Sequence, residues 1–242
     1  MKRLMRSKPS RPRRPTPTLR FSPPAWAKLL WCRDRGPTEI SGFGITSPED
    51  RLRIEDFVLI PQQATPLYVA MSDEAVAEFF EEQVDQGRRP DQFGRIWIHT
   101  HPGNCPQPSV TDEETFQRVF GSCDWAVMLI VARGGQVYAR LEWHVGPTGA
   151  IEVPVTADYR RPFAGSDEAA WQAEFERCVQ SLSLAAGGDV LPDFWNLEQC
   201  DGGRIHPARV SRAAGADGGS ADEISFRTAR GVDPARTALA AQ

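Results

Sequence analysis

Gly94-Arg-Ile-Trp-Ile-His99-Thr-His101-Pro102-Gly103 is the stretch on which fold and chemistry both turn. Residues 94–98 are short, apolar and β-prone, so they read as a buried strand running directly into the histidines. Side chains two apart on a strand share a face, which points His99 and His101 the same way and Thr100 the other. Pro102 and Gly103 then stop the strand and release a loop that can fold back. That loop brings Ser109 and then Asp112 to the start of a predicted helix over residues 112–120. Two neutral imidazoles and one carboxylate would leave a zinc ion positively charged with one open position, the ligand count of a catalytic rather than a structural site.

A plainer account covers part of the same residues. Ser109-Val-Thr-Asp112 has the form of a capping box, so Ser109 and Asp112 can equally be closing a helix N-terminus. Histidine arithmetic removes other metal sites. Only His99, His101, His144 and His206 are present, too few for metallo-β-lactamase or amidohydrolase centres, which also begin with His-x-His. No His-Glu-x-x-His helix exists, so the common zinc-protease signature is absent. His144 reads as an edge-strand residue and His206 as part of a polar tail.

A catalytic zinc needs a base. In Pro37-Thr-Glu39-Ile-Ser-Gly42-Phe-Gly44 an acid lies among small apolar residues, followed by glycines that allow close backbone approach. A carboxylate there would be partly desolvated and basic enough to take a proton. On this segment alone a surface turn acid is the competing reading.

Taken together, Glu39 in Pro-x-Glu-x-x-Gly, His99-x-His101-Pro102, six further residues, Ser109, two residues and Asp112 resemble the motif of the JAMM (MPN-plus, or JAB-domain) zinc metalloproteases. The resemblance spans residues 26–159 and rests on five positions. It implies a single JAB/MPN-like, cytidine-deaminase-like α/β domain, a mixed β-sheet flanked by helices. It also implies that His99, His101 and Asp112 bind Zn2+, that Glu39 is the general acid/base, and that Ser109 steadies the oxyanion. The implied substrate is a peptide or isopeptide bond after the C-terminal Gly-Gly of a ubiquitin-like or sulfur-carrier protein. The alternative is a non-catalytic MPN scaffold that mediates protein–protein interaction.

Composition frames this reading. The chain has 242 residues, 40% of them hydrophobic, and 20 each of glycine and proline, which suits one moderate domain with disordered ends. We divide it into a basic arm (1–22), the α/β domain (23–195) and a flexible Gly/Ala/Asp/Ser/Arg-rich tail (196–242). Net charge is −4, yet the first twenty residues hold eight Lys or Arg and no acid. Charge alone does not make a nucleic-acid function, so nucleic acid is not an expected partner. No apolar run is long enough to span a membrane and no signal peptide is recognisable, so a cytoplasmic protein is expected. The five cysteines lack paired metal spacing and are expected to be free thiols. Three lysines against 25 arginines fit a GC-rich bacterial genome. Oligomeric state is not legible.

The remaining pattern predicts a first helix capped by Ser22-Pro23 and ending before Glu39, and strands over 43–45, 52–60 and 67–71. Ser72 caps a helix that buries Val76, Phe79, Phe80 and Val84 and ends at Gly87. The helix after Asp112 buries Phe116, Val119 and Phe120. The continuous apolar run 125–132 reads as a strand buried on both faces, paired in a hairpin with 136–145, and 151–155 extends the sheet. A last helix starts at Ser166, carries Trp171, Phe175, Cys178, Val179 and Leu182, and closes at Gly187-Gly188.

Overall fold

The structure, a computed structural model, describes residues 16–182. The chain runs β1 (Leu19–Phe21), α1 (Pro23–Arg33), β2 (Ser41–Ser47), β3 (Asp50–Leu59), β4 (Gln62–Ala64), β5 (Val69–Met71), α2 (Asp73–Asp85) and α3 (Pro90–Phe93). It continues through β6 (Ile96–His101), α4 (Val110–Phe120), β7 (Trp125–Ala132), β8 (Val137–Trp143), β9 (Gly149–Glu152), β10 (Val155–Ala157), α5 (Glu168–Cys178) and β11 (Val179–Ser181).

Eight strands form one mixed sheet in the order β10-β1-β3-β2-β6-β7-β8-β9, and β11-β4-β5 form a small second sheet. The edge strands β9 and β10 are consecutive in the chain, with only Val153 and Pro154 between them. The large sheet therefore curls to bring its two edges together. β6 lies at its centre, antiparallel to β2 and parallel to β7.

Alternation along β6 sorts the molecule into two cores. Ile96 and Ile98 join Leu29, Phe21, Phe57 and Leu129 beneath α1. Trp97 joins Phe43, Phe79, Phe93, Phe116 and Phe120 beneath α2 and α4. The second core is chiefly aromatic: Phe43 stacks on Phe79 with centroids 5.3 Å apart, and Phe80 meets Phe93 edge-on at 5.0 Å. Such pairs contribute about 0.5–1.5 kcal/mol each beyond area burial. β2 crosses β3 so closely that a Cβ on Gly42 would lie 2.1 Å from the Val58 carbonyl oxygen, so only glycine fits there.

Several boundaries differ from expectation. Leu19–Phe21, inside the segment assigned to a basic arm, is a strand; Leu19 and Phe21 are fully buried and pair with β10 and β3. The first helix stops at Arg33, and residues 34–40 are a loop. The helix of α4 starts at Val110, and its Val119 is 47% exposed instead of buried. Val84 of α2 is likewise exposed. α5 begins at Glu168, capped by Asp167, and ends at Cys178. Val179, expected on its buried face, instead starts β11, where it pairs with Gln62. Cys32 and Cys178 are buried free thiols, and Cys123 is buried with its Sγ accepting from Arg95 (2.8 Å); Cys105, expected to be a free thiol, is not one of the free set. The basic residues 1–15, the Gly187-Gly188 stop, Cys200, His206 and the tail 196–242 lie outside the described residues. Among the described residues no helix is long and apolar enough to cross a membrane.

Candidate metal centre

β6 puts Trp97, His99 and His101 on one face, and the geometry follows from period two. Thr100 points to the opposite face, where its Oγ1 accepts from the Ile40 N–H (3.1 Å) and its own N–H donates to the Ile40 carbonyl (2.9 Å). α4 approaches the histidine face with Phe116 parallel to Trp97, centroids 6.5 Å apart, while Trp97 lies against His99 at 4.4 Å. Asp112, in the first turn of α4, is carried onto the imidazoles by that packing.

The donor atoms of His99, His101 and Asp112 all lie within 4.8 Å of one another. Asp112 Oδ1 is 3.3 Å from His99 Nε2, and Oδ2 is 3.5 Å from His101 Nε2. A tetrahedral ion with bonds of about 2.0–2.1 Å has ligand–ligand edges of about 3.3–3.4 Å. These separations fit such a shell. His101 Nδ1 lies 2.9 Å from the Cys105 carbonyl, which fixes the proton on Nδ1 and leaves the Nε2 lone pair facing Asp112. His99 is fully buried, and neither ring nitrogen has a hydrogen-bond partner. Each such orphan costs about 1–3 kcal/mol, and a cation at Nε2 would relieve one of them. This group of side chains could hold a metal ion.

Charge reinforces the arrangement. Burial lowers the His99 imidazole pKa, favouring the neutral ligand form. Burial also lowers His101, but contact with Asp112 and the Glu39 charge together lift it above its ordinary value. Burial would raise Asp112, yet its contacts with His101 and His99 and the Ser109 backbone hold it far below the carboxylate range. The triad is acid–base matched in the absence of any ion.

Ser109 and Asp112 form the capping box, and Asp112 also belongs to the group that could hold a metal ion. Ser109 caps α4: its Oγ accepts the Asp112 N–H (3.1 Å), and Asp112 Oδ2 accepts both the Ser109 N–H (2.7 Å) and the Ser109 hydroxyl (2.8 Å). The capping box thus clamps one carboxylate oxygen and turns Oδ1 towards His99. The hydroxyl proton of Ser109 is given to Asp112.

Glu39 comes from the other side of β6. Pairing of Ser41 with His99 in the β2–β6 register delivers the preceding loop to the site. The Glu39 N–H donates to Thr65 O (2.9 Å), which fixes the backbone. Its side chain lines one 460 Å³ cleft with Trp97, Ser109 and Asp112. Burial pushes its carboxyl up to about 7, Asp112 adds to the shift, and His101 opposes it. A carboxyl group poised near neutrality beside a metal-ligand set can both accept and release a proton.

The supporting residues were not expected. Ser41, fully buried, receives the Trp97 indole N–H on its Oγ (2.8 Å). Gln62 brackets the Ser41 backbone, with Oε1 accepting its N–H and Nε2 donating to its carbonyl. Trp97 sits two residues before His99, so the strand period alone would have placed it beside the imidazole. Gln62 carries no comparable signal, because its role depends on β4 reaching back across the sheet. His144 bonds through Nδ1 to the Cys123 carbonyl (2.8 Å) and is not part of the triad. In comparisons with known proteins, the chain matches no family model and no curated sequence.

Proposed function

We propose that this chain is a zinc-dependent peptidase of the JAMM type. Its substrate is a peptide or isopeptide bond following the C-terminal Gly-Gly of a ubiquitin-like or sulfur-carrier protein. The observation that carries the reading is the convergence of the His99–His101–Asp112 donor atoms, with Asp112 lining the same cleft as a Glu39 carboxyl raised to about 7. Two imidazoles and one carboxylate suit zinc, a borderline cation that accepts nitrogen and oxygen donors. Bound there, zinc would act as a Lewis acid on a carbonyl and ease ionisation of a water.

The chain's own residues do the rest. Glu39 accepts a proton from the attacking water and later passes it to the leaving amine, which is a poor leaving group unless protonated. Ser109, released from Asp112 by rotation of its hydroxyl, donates to the oxygen that gains charge. Trp97 and Phe43 wall the cleft and strengthen these interactions by limiting solvent.

The test pairs metal analysis with cleavage of a ubiquitin-like fusion bearing a Gly-Gly junction. Wild type should hold about one zinc and cut at the junction. Glu39→Gln should keep the zinc and lose activity by about 10²–10⁴-fold, and Asp112→Ala should lose the metal. Wild-type turnover by Glu39→Gln would remove the assigned base. A purified protein that holds no zinc and ignores chelators would instead favour a binding scaffold.

A further inference from the structure

We infer that the cavity between β1, the start of β3 and the loop after β10 is a binding site for a phosphate group, either the free ion or a phosphate monoester. It shares no lining residue with the cleft of Glu39 and Asp112, so the inference stands apart from the hydrolytic reading.

Strand pairing brings like charges together there. Leu19 and Phe21 of β1 face the core with Ile54 of β3, so the alternate residues Arg20 and Arg53 emerge on the opposite face. These two arginines are register partners on neighbouring parallel strands, where like charges repel. The loop after β10 adds Arg160 and Arg161. The resulting cavity of 310 Å³ is lined by Arg20, Asp50, Arg53, Asp158, Arg160 and Arg161, so every lining residue is charged.

The carboxylates in the wall answer only part of this charge. Asp50 pairs with Arg20, while Asp158 accepts from Arg53 (3.1 Å) and, through two bonds, from Arg160 (2.7 and 2.9 Å). Four guanidiniums against two carboxylates leave the wall with an excess of two positive charges. Two further acids act from outside it. Glu55 holds Arg53 at 2.7 Å, and Glu49 meets Arg161 at 3.3 Å with both side chains more than half exposed, a contact that contributes little in water. Arg20 Nε is buried without a hydrogen-bond partner, and leaving such a donor unmet is costly.

The ligand class follows from charge and shape. A phosphate group carries about −1.5 to −2 charges at neutral pH and presents several strong acceptor oxygens, which answers both the excess charge and the unmet donor. A carboxylate brings a single charge. Guanidinium forks match the oxygens of phosphate in pairs, and Arg53 is buried, which fixes its place in the wall. A second hollow of 750 Å³ adjoins the first, because Arg20, Asp158 and Arg160 line both. Leu52 and the exposed ring of Tyr159 give this hollow an apolar surface, where an organic group esterified to the phosphate has room.

The test is calorimetric titration of the full-length protein with inorganic phosphate, adenosine monophosphate and adenosine. The double variant Arg160→Gln, Arg161→Gln removes the two exposed arginines of the wall and leaves Arg20 and Arg53 in place, and far-UV circular dichroism checks that it folds. A control variant, Arg88→Gln with Arg89→Gln, removes the same charge from the loop between α2 and α3. Wild type and control should bind phosphate or adenosine monophosphate saturably with equal affinity, and the Arg160, Arg161 variant should bind about 10–100-fold more weakly. Tighter binding of adenosine monophosphate than of phosphate would assign the neighbouring hollow to the organic group; equal binding would assign the site to the phosphate alone. Lack of saturable binding by either phosphate compound, equal affinity in all three proteins, or adenosine binding as tightly as its monophosphate would each overturn the proposal.

Discussion

Glu39 is held in opposition by its surroundings. Its backbone is pinned by Thr65, its side chain is drawn into an apolar cleft, and the Asp112 charge lies on the same side. The folded carboxyl therefore keeps its proton up to about pH 7, against an ordinary value of 4.5. A folded pKa above the unfolded one means that ionisation favours unfolding, by an amount that grows from pH 4.5 and is complete above 7. Metal-free Glu39→Gln should accordingly be more stable than metal-free wild type at pH 8, by on the order of 2–3 kcal/mol, and equal to it near pH 4. Urea denaturation at the two pH values checks this; a variant less stable than wild type at pH 8 would show that Glu39 is not desolvated. The acid itself stood out in the sequence through its small apolar neighbours and Gly42. Its partner Asp112, 73 residues on, did not follow from that segment.

At the scale of elements, α4 does two jobs with one motif. The capping box that starts the helix is also what orients Asp112, and three further contacts hold the helix in place. Arg140 of β8 grips Glu113 through two bonds of 2.6 Å, Gln117 donates to Glu142 (3.0 Å), and Phe116 lies over Trp97. Ser109→Ala should therefore cost about 1 kcal/mol as a lost cap. It should also weaken zinc binding about 10–100-fold, as expected when a ligand loses its orienting partner. Thermal unfolding without metal and a chelator competition separate the two effects, and Ser109→Thr should restore both. A change in stability alone would leave the serine with capping only.

The element scale also shows what pattern reading could reach. β6 and β7 were legible because each is long enough for its period to show, two-residue alternation in one and a continuous buried run in the other. The short strands β1, β4 and β11 and the one-turn α3 have three or four residues each, too few for any period, and form because neighbours offer backbone partners. Val119 and Val84 misled for a related reason. Both fall at helical spacing beside buried residues, yet they stand 47% and 45% exposed.

For the whole molecule, the centre of the large sheet is where the cost of the site is concentrated. A fully buried imidazole without hydrogen bonds lies between two cores that together contain most of the buried apolar side chains. Metal bound to the folded state alone stabilises it by mass action, about 4 kcal/mol at a thousandfold excess over Kd. Chelation should lower Tm by roughly 8–16 °C for a domain of this size. The effect should vanish on acidification, because protonated imidazoles no longer bind the ion. Calorimetry with and without chelator at pH 8 and pH 5 measures it; equal Tm values at pH 8 would mean that the triad holds no metal.

The sequence by itself determined the common face of His99 and His101, the capping-box pattern of Ser109 and Asp112, the buried strand after α4 and the α/β class. Those are local consequences of backbone period, capping and hydrophobic run, each settled within about ten residues. Tertiary structure alone decided that β2 lies beside β6, that Gln62 and Thr65 brace the base, and that the two edges of the sheet meet. Such contacts join residues tens of positions apart, and their register is chosen by how side chains from several elements fill the same space. No single segment carries that information.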